Sequence, residues 1–174
     1  NWLYLFLSLI AFIGSKLLAA VRLNIYFSNI GVRLATGQNI KLYWLGMFYN
    51  LFLPGSISGD AYKVVLLAKK YDIPYKKTTA AVLLDRFSGL LGLGLILAIY
   101  TIIVLNDHLY ITIIIAGAII AVVGLFFTIK KWFKDFITSF YPTLFLGILV
   151  QASQVVCAYL IMAALGIPAH VTEY

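Results

Sequence analysis

The amino-acid sequence predicts an all-α fold: a polytopic helical membrane protein with about four transmembrane helices and one re-entrant helical hairpin. Three observations carry that reading. Of the 174 residues, 63% are apolar and 11% charged, against roughly 45–50% and about 25% in a soluble domain, so the polar side chains are too few to cover a water-facing surface. Four apolar runs approach or exceed the ~20 residues that cross a bilayer core as helix. The basic residues cluster between those runs, so the formal net charge of +7 belongs to membrane-flanking loops rather than to a nucleic-acid surface.

The spans fall near 2–21, 79–105, 109–129 and 143–165. The first is interrupted by Ser8, Gly14, Ser15 and Lys16, with Lys16 close enough to its end to snorkel into the headgroups. Basic loops at 22–41, 69–77 and 130–141 stay on the cytoplasmic side of a cytoplasmic (inner) membrane by the positive-inside rule. That places the turn at 106–108 and the tail after 165 outside, since neither holds Lys or Arg. Residues 1–174 are expected to form a single transmembrane region cut from a larger membrane domain. The chain opens on an apolar run without a basic n-region and closes on "GIPAHVTEY" without a charged stop.

Basic loops flank the stretch 42–68 on both sides, so it has to return to the face it starts from. Its first limb, "LYWLGMFYNLFL", is too short to span; "PGSISGD" breaks the helix, and "AYKVVLLA" is a second short limb. Such lengths suit a re-entrant hairpin. Tyr and Trp at the predicted interfaces, among them Trp44, Tyr100, Tyr110, Trp132 and Tyr141, agree with this layout.

Chemistry has few candidates. Cys157 is the sole cysteine, and His108 and His170 lie far apart, so no metal site, cofactor or catalytic constellation is expected. The hairpin tip is the most informative stretch. Pro54 lacks an N–H, and Gly55 and Gly59 permit turns that other residues resist. Broken backbone at membrane depth is tolerated only where protein buries it or a wet cavity adjoins it. A hydroxyl of Ser56 or Ser58 is placed to cap the second limb, and Asp60 favours that limb's positive end. One reading makes the tip a cradle for a lipid phosphate; the other makes it a tight turn packed through Gly55 and Gly59 at small-xxx-small spacing. Asn50 is either a cavity ligand or a satisfied amide.

Asp85 and Arg86 lie inside the second span and should face protein or water, because each costs about 2.5–3.5 kcal/mol at the centre of a lipid-facing helix. Neighbours in sequence do not share a helical face, so the two need not pair with each other. The guanidinium of Arg86 suits a phosphate or the carboxylate of Asp60 equally well. Structural locking of span to hairpin stands beside a site role. Lys63, Lys69, Lys70, Lys76 and Lys77 set topology and attract anionic headgroups. Gln151 and Gln154 share a face suited to interhelical hydrogen bonds, while Gly89, Gly92 and Gly94 permit close helix packing.

From Tyr49 to Leu91 the sequence reads "YNLFLPGSISGDAYKVVLLAKKYDIPYKKTTAAVLLDRFSGLL". This string resembles the lysylphosphatidylglycerol synthase transmembrane-region family, flippase-like proteins that include the membrane half of the multiple peptide resistance factor. The pattern is carried by Asn50, Pro54, Gly55, Gly59, Asp60, Lys63, Asp85, Arg86 and Gly89, with Lys63 standing where the family often has an Arg. The segment "AAVRLNIYF" around Arg22 resembles an Arg-bearing helix end in the same family. The resemblance implies binding and translocation of membrane phospholipids, anionic or aminoacylated, with Asn50, Asp60, Asp85 and Arg86 as the intramembrane polar site. Two alternatives stay open. The chain is the membrane region of a phosphatidylglycerol lysyltransferase, enzymatic only with a soluble catalytic domain or partner that these residues lack, or it is a non-catalytic scaffold for envelope enzymes. Neither nucleic acid nor any particular oligomer is implied.

Overall fold

The computed structural model describes residues 1–53, 57–105 and 107–167. Six α-helices follow one another: α1 (Trp2–Asn29), α2 (Thr36–Phe52), α3 (Ser58–Tyr71), α4 (Tyr75–Val104), α5 (His108–Trp132) and α6 (Phe140–Leu165), with a 3-10 turn at Lys134–Ser139 leading into α6. Local chemistry sets several of the boundaries. The Asn1 side chain accepts from the N–H of Leu3, and Asp107 accepts from that of Leu109, so each satisfies an orphan donor at a helix start. Helix α3 ends where Asp72 turns left-handed at φ 51°, and Pro74 then opens α4 without an N–H to waste.

Four helical stretches among the described residues are long and apolar enough to cross a membrane: Trp2–Asn29, Tyr75–Val104, His108–Trp132 and Lys134–Leu165. Their outward faces are apolar, from Trp2 and Phe6 on α1 to Ile120 on α5 and Phe145 on α6. A chain in water would not present such a surface; lipid accommodates it without cost.

Helix α6 packs along both α1 and α4. It runs antiparallel to α1 for their whole length, as contacts from the Asn1 amine to the Ala164 carbonyl, Cys157 to Ser8, Tyr26 to Thr143 and Asn29 to Ser139 record. The α2–α3 pair leans on this trio, α2 against α1 and α3 against α4. Helix α5 touches α4 and the 3-10 turn, and Ile129 alone of its residues is buried. The densest apolar packing, Leu23, Tyr26, Phe27, Val32, Ile129, Phe136 and Phe140, gathers at the end of the bundle where α1 finishes and α6 begins.

Two boundaries differ from those the sequence suggests. Helix α1 runs on to Asn29 instead of stopping near 21, so Arg22 lies inside it and is buried rather than in a basic loop. The stretch 22–41 is correspondingly the end of α1, a short connection and the start of α2. The physical reason is the period: Ala19, Ala20, Leu23, Tyr26 and Phe27 are all buried and fall at helical spacing, so one apolar stripe continues straight past the charge.

Backbones touch where glycines meet. A Cβ on Gly92 would lie 2.7 Å from the carbonyl carbon of Gly147, and one on Gly147 would lie 2.8 Å from the Ser88 carbonyl oxygen. That is the small-residue packing expected of Gly92. Gly92→Leu is therefore expected to separate α4 from α6, costing about 1–3 kcal/mol as overpacking does. The thermal midpoint in detergent should fall clearly. Gly124→Ala, at a position with open space around it, should leave that midpoint where it is.

Candidate functional site

Five charged side chains from three helices meet inside the bundle. Asp85 and Arg86 are consecutive on α4, and the ~100° between successive helical residues sends them to different neighbours. Asp85 faces α1, where its Oδ1 accepts from Arg22 Nε at 2.8 Å, both side chains being buried. Arg86 faces α3, where its Nε donates to Asp60 Oδ2. Asp60 stands in the first turn of α3 and also accepts through Oδ1 from Lys63 Nζ at 3.1 Å, one turn along. Its carboxylate is thus held by a different cation on each oxygen.

The hairpin is built to place Asp60. The first N–H groups of α3 lack partners within their own helix, and Asn50 of α2 reaches across to accept from the Gly59 N–H at 2.8 Å. Ser58 Oγ donates back to the Tyr49 carbonyl at 3.1 Å. So Asn50 is a cap supplied by a neighbouring helix, and Ser58 ties off the end of α2 instead of capping α3. Gly59 packs on Gly46, whose carbonyl oxygen leaves no room for a Cβ on Gly59. The expected reading was close packing through Gly55 and Gly59 as a pair. Pro54, Gly55 and Ser56 lie outside the described residues.

Lys63 does not belong with the surface lysines. Its side chain is 7% exposed, its stem crosses Gly46 closely enough to exclude any Cβ there, and its ammonium sits 5.1 Å from the centroid of the Tyr43 ring. An ammonium so enclosed depends on Asp60 for its counter-charge. Arg22 is enclosed in a similar way, with Gly89 of α4 and Gly147 of α6 flanking its guanidinium. Its Nη1 has no hydrogen-bond partner among the described residues. The role expected of Gly89 was close helix packing; what it admits is a cation. On its other side the Gly89 carbonyl accepts from Gln151 Nε2 at 3.1 Å, an interhelical bond of the kind foreseen for that glutamine.

Arg86 differs from the other four, since 47% of its side chain is exposed. With Asp60 it forms the polar end of a groove of about 310 Å³ between α3 and α4, walled by Ala61, Val64, Val82 and Leu83. A roomier groove of about 350 Å³ between α4 and α5 is lined by apolar residues throughout, among them Leu91, Gly94 and Ala118, and carries no group that could hold an anion. The structure therefore brings Lys63 and Arg86 together on Asp60, with Asn50, Ser58 and Gly59 fastening α2 to the start of α3; of these residues Asp60 and Arg86 line the α3–α4 groove. Asp85 belongs to a separate, closed pair. Sequence reasoning missed Gly46 beside Lys63 and Arg22 as the partner of Asp85; the unbroken apolar period of α1 was the available signal for Arg22.

The family model for the lysylphosphatidylglycerol synthase TM region matches residues 1–145, a stretch that contains all five charges and both glycines against which the cations pack most closely on α2 and α4. No curated protein and no solved structure matches the chain. With the match covering most of its length and the whole of the charged constellation, the chain belongs to the lysylphosphatidylglycerol synthase TM region family.

Proposed function

We propose that this integral membrane protein binds a phospholipid headgroup at Arg86 and moves the lipid across the cytoplasmic membrane. The observation that carries the reading is the half-exposed guanidinium of Arg86 beside the buried carboxylate of Asp60, at the polar end of an otherwise apolar groove. A guanidinium fork matches a phosphate geometrically, and apolar walls suit acyl chains. The α2–α3 hairpin is re-entrant in this reading: 17 and 14 residues extend roughly 25 and 21 Å as helix, less than the ~30 Å core. The ends bearing Lys69, Lys70, Lys76, Lys77, Lys130, Lys131 and Lys134 face the cytoplasm, where they attract anionic lipids.

Transport is tested with the purified chain in liposomes carrying a headgroup-labelled phospholipid, its arrival in the outer leaflet read by chemical quenching. Arg86→Ala is expected to lower the initial rate tenfold or more, about the worth of one charge-assisted contact. Its thermal midpoint should stay near that of the unaltered protein. Normal transport by folded Arg86→Ala would sink the reading.

The Arg22–Asp85 pair is a positioning element for α4, and stability is its readout. Arg22→Ala leaves a buried carboxylate uncompensated, a cost of about 3–5 kcal/mol. Folded protein recovered from membranes should fall sharply. Arg22→Met combined with Asp85→Leu removes both charges and should recover most of the folded yield.

A further inference from the structure

We infer that the lipid-facing side of α1 around Lys16 is a docking surface for a transmembrane helix that carries a carboxylate at mid-depth in the bilayer. A span closing near 21 would leave Lys16 within reach of the headgroups. Helix α1 runs instead from Trp2 to Asn29, which puts roughly 21 Å of helix on one side of Lys16 and roughly 20 Å on the other. A lysine stem is too short to carry its ammonium over either distance, so snorkelling does not relieve it. A cation at that depth needs an anion beside it.

Arg22 has Asp85 and Lys63 has Asp60, but no carboxylate pairs with Lys16 among the described residues. Lys16 is half-buried. Its ammonium lies 4.9 Å from the centroid of the Phe12 ring one turn back, and its electrostatic neighbour across the seam is the thiol of Cys157 on α6. Gln154, one turn before Cys157, also has an amide without a hydrogen-bond partner among the described residues. The apolar stripe of α1, covered from Ala19 to Phe27, comes to the surface here: Leu9, Phe12 and Ile13 share the face of Lys16 and are exposed.

Charge complementarity defines the occupant. Lipid phosphates lie about 15 Å from the centre of the hydrocarbon core, whereas a carboxylate on a helix reaches that centre with its backbone hydrogen bonds already made. A second copy of the described residues does not supply one. Asp60 and Asp85 are paired within their own bundle, and Asp72, Asp107 and Asp135 stand at helix ends or in the 3-10 turn; Glu173 lies outside the described residues. The partner is therefore a different helix, with Asp or Glu near its middle and apolar residues around it.

The test uses the whole chain, donor-labelled in liposomes, with acceptor-labelled synthetic helices of leucine and alanine that differ only in their central residue, Glu, Gln or Leu. Energy transfer reads association. The Glu helix is expected to bind about tenfold more tightly than the Leu helix, the worth of one charge-assisted hydrogen bond, with the Gln helix between them. Lys16→Met is expected to abolish the difference without lowering the thermal midpoint, since the lysine has no carboxylate in the bundle to lose. A second measurement needs no variant: moving the Glu two turns toward either end of the synthetic helix should reduce its binding to that of the Leu helix. Equal binding of the Glu and Leu helices, or of the Glu and Gln helices, overturns the proposal. So does a preference for Glu that survives Lys16→Met or the shift of the carboxylate.

Discussion

A charge inside a membrane-spanning helix has to be answered by a neighbouring helix, and α4 carries two in succession. Asp85 and Arg86 cannot face the same way, so α4 is bound to α1 on one side through Arg22 and to α3 on another through Asp60. Much of the surrounding architecture follows from accommodating these side chains. Gly46 leaves room for the stem of Lys63, and Gly89 and Gly147 leave room for the guanidinium of Arg22. A side chain at Gly46 or Gly89 would press a buried cation away from its carboxylate, where removing a partner costs far more than the pair contributes, and one at Gly147 would meet the Ser88 carbonyl oxygen. The position of Asp60 depends in turn on the cross-helix cap from Asn50.

The two ion-pair groups are built from the same residue types yet are suited to different work. Arg22 and Asp85 are enclosed and matched one to one, an arrangement that fixes helices and resists exchange. The Asp60 group gathers two cations on one carboxylate and reaches the surface through Arg86. Exposure, more than residue identity, separates the strut from the proposed site.

Much of this was legible in the sequence because membranes simplify the code. Long apolar runs announced the spanning helices, and the expense of charge at depth singled out Asp60, Asp85 and Arg86. The pairing of Asp60 with Arg86 was one of two partners considered for that arginine. What stayed hidden was pairing between helices, which no spacing encodes. Arg22 was counted by its charge, as a topology signal, although the apolar period of α1 runs through it from Ala19 to Phe27. Lys63 was grouped with the lysines near it in sequence, although a glycine on another helix decides its burial. The role of Ser58 and the packing of Gly59 on Gly46 have the same origin: each is settled by the register of α2 against α3, which the hairpin reading left open.

The antiparallel seam of α1 and α6 joins the first and last described helices, with Asn1 lying against Ala164. During synthesis from the N-terminus, α1 therefore enters the bilayer well before its principal packing partner exists. Arg22 waits, too, for a carboxylate 63 positions further along. Until α4 arrives, that guanidinium must reach toward the headgroups from just under two turns before the end of α1 at Asn29. The bundle then closes in stages, first through charge between α1 and α4 and last through apolar packing along α6. Among the described helices the α1–α6 seam is the contact of longest range in sequence, so it forms after the charge-paired helices are already in place.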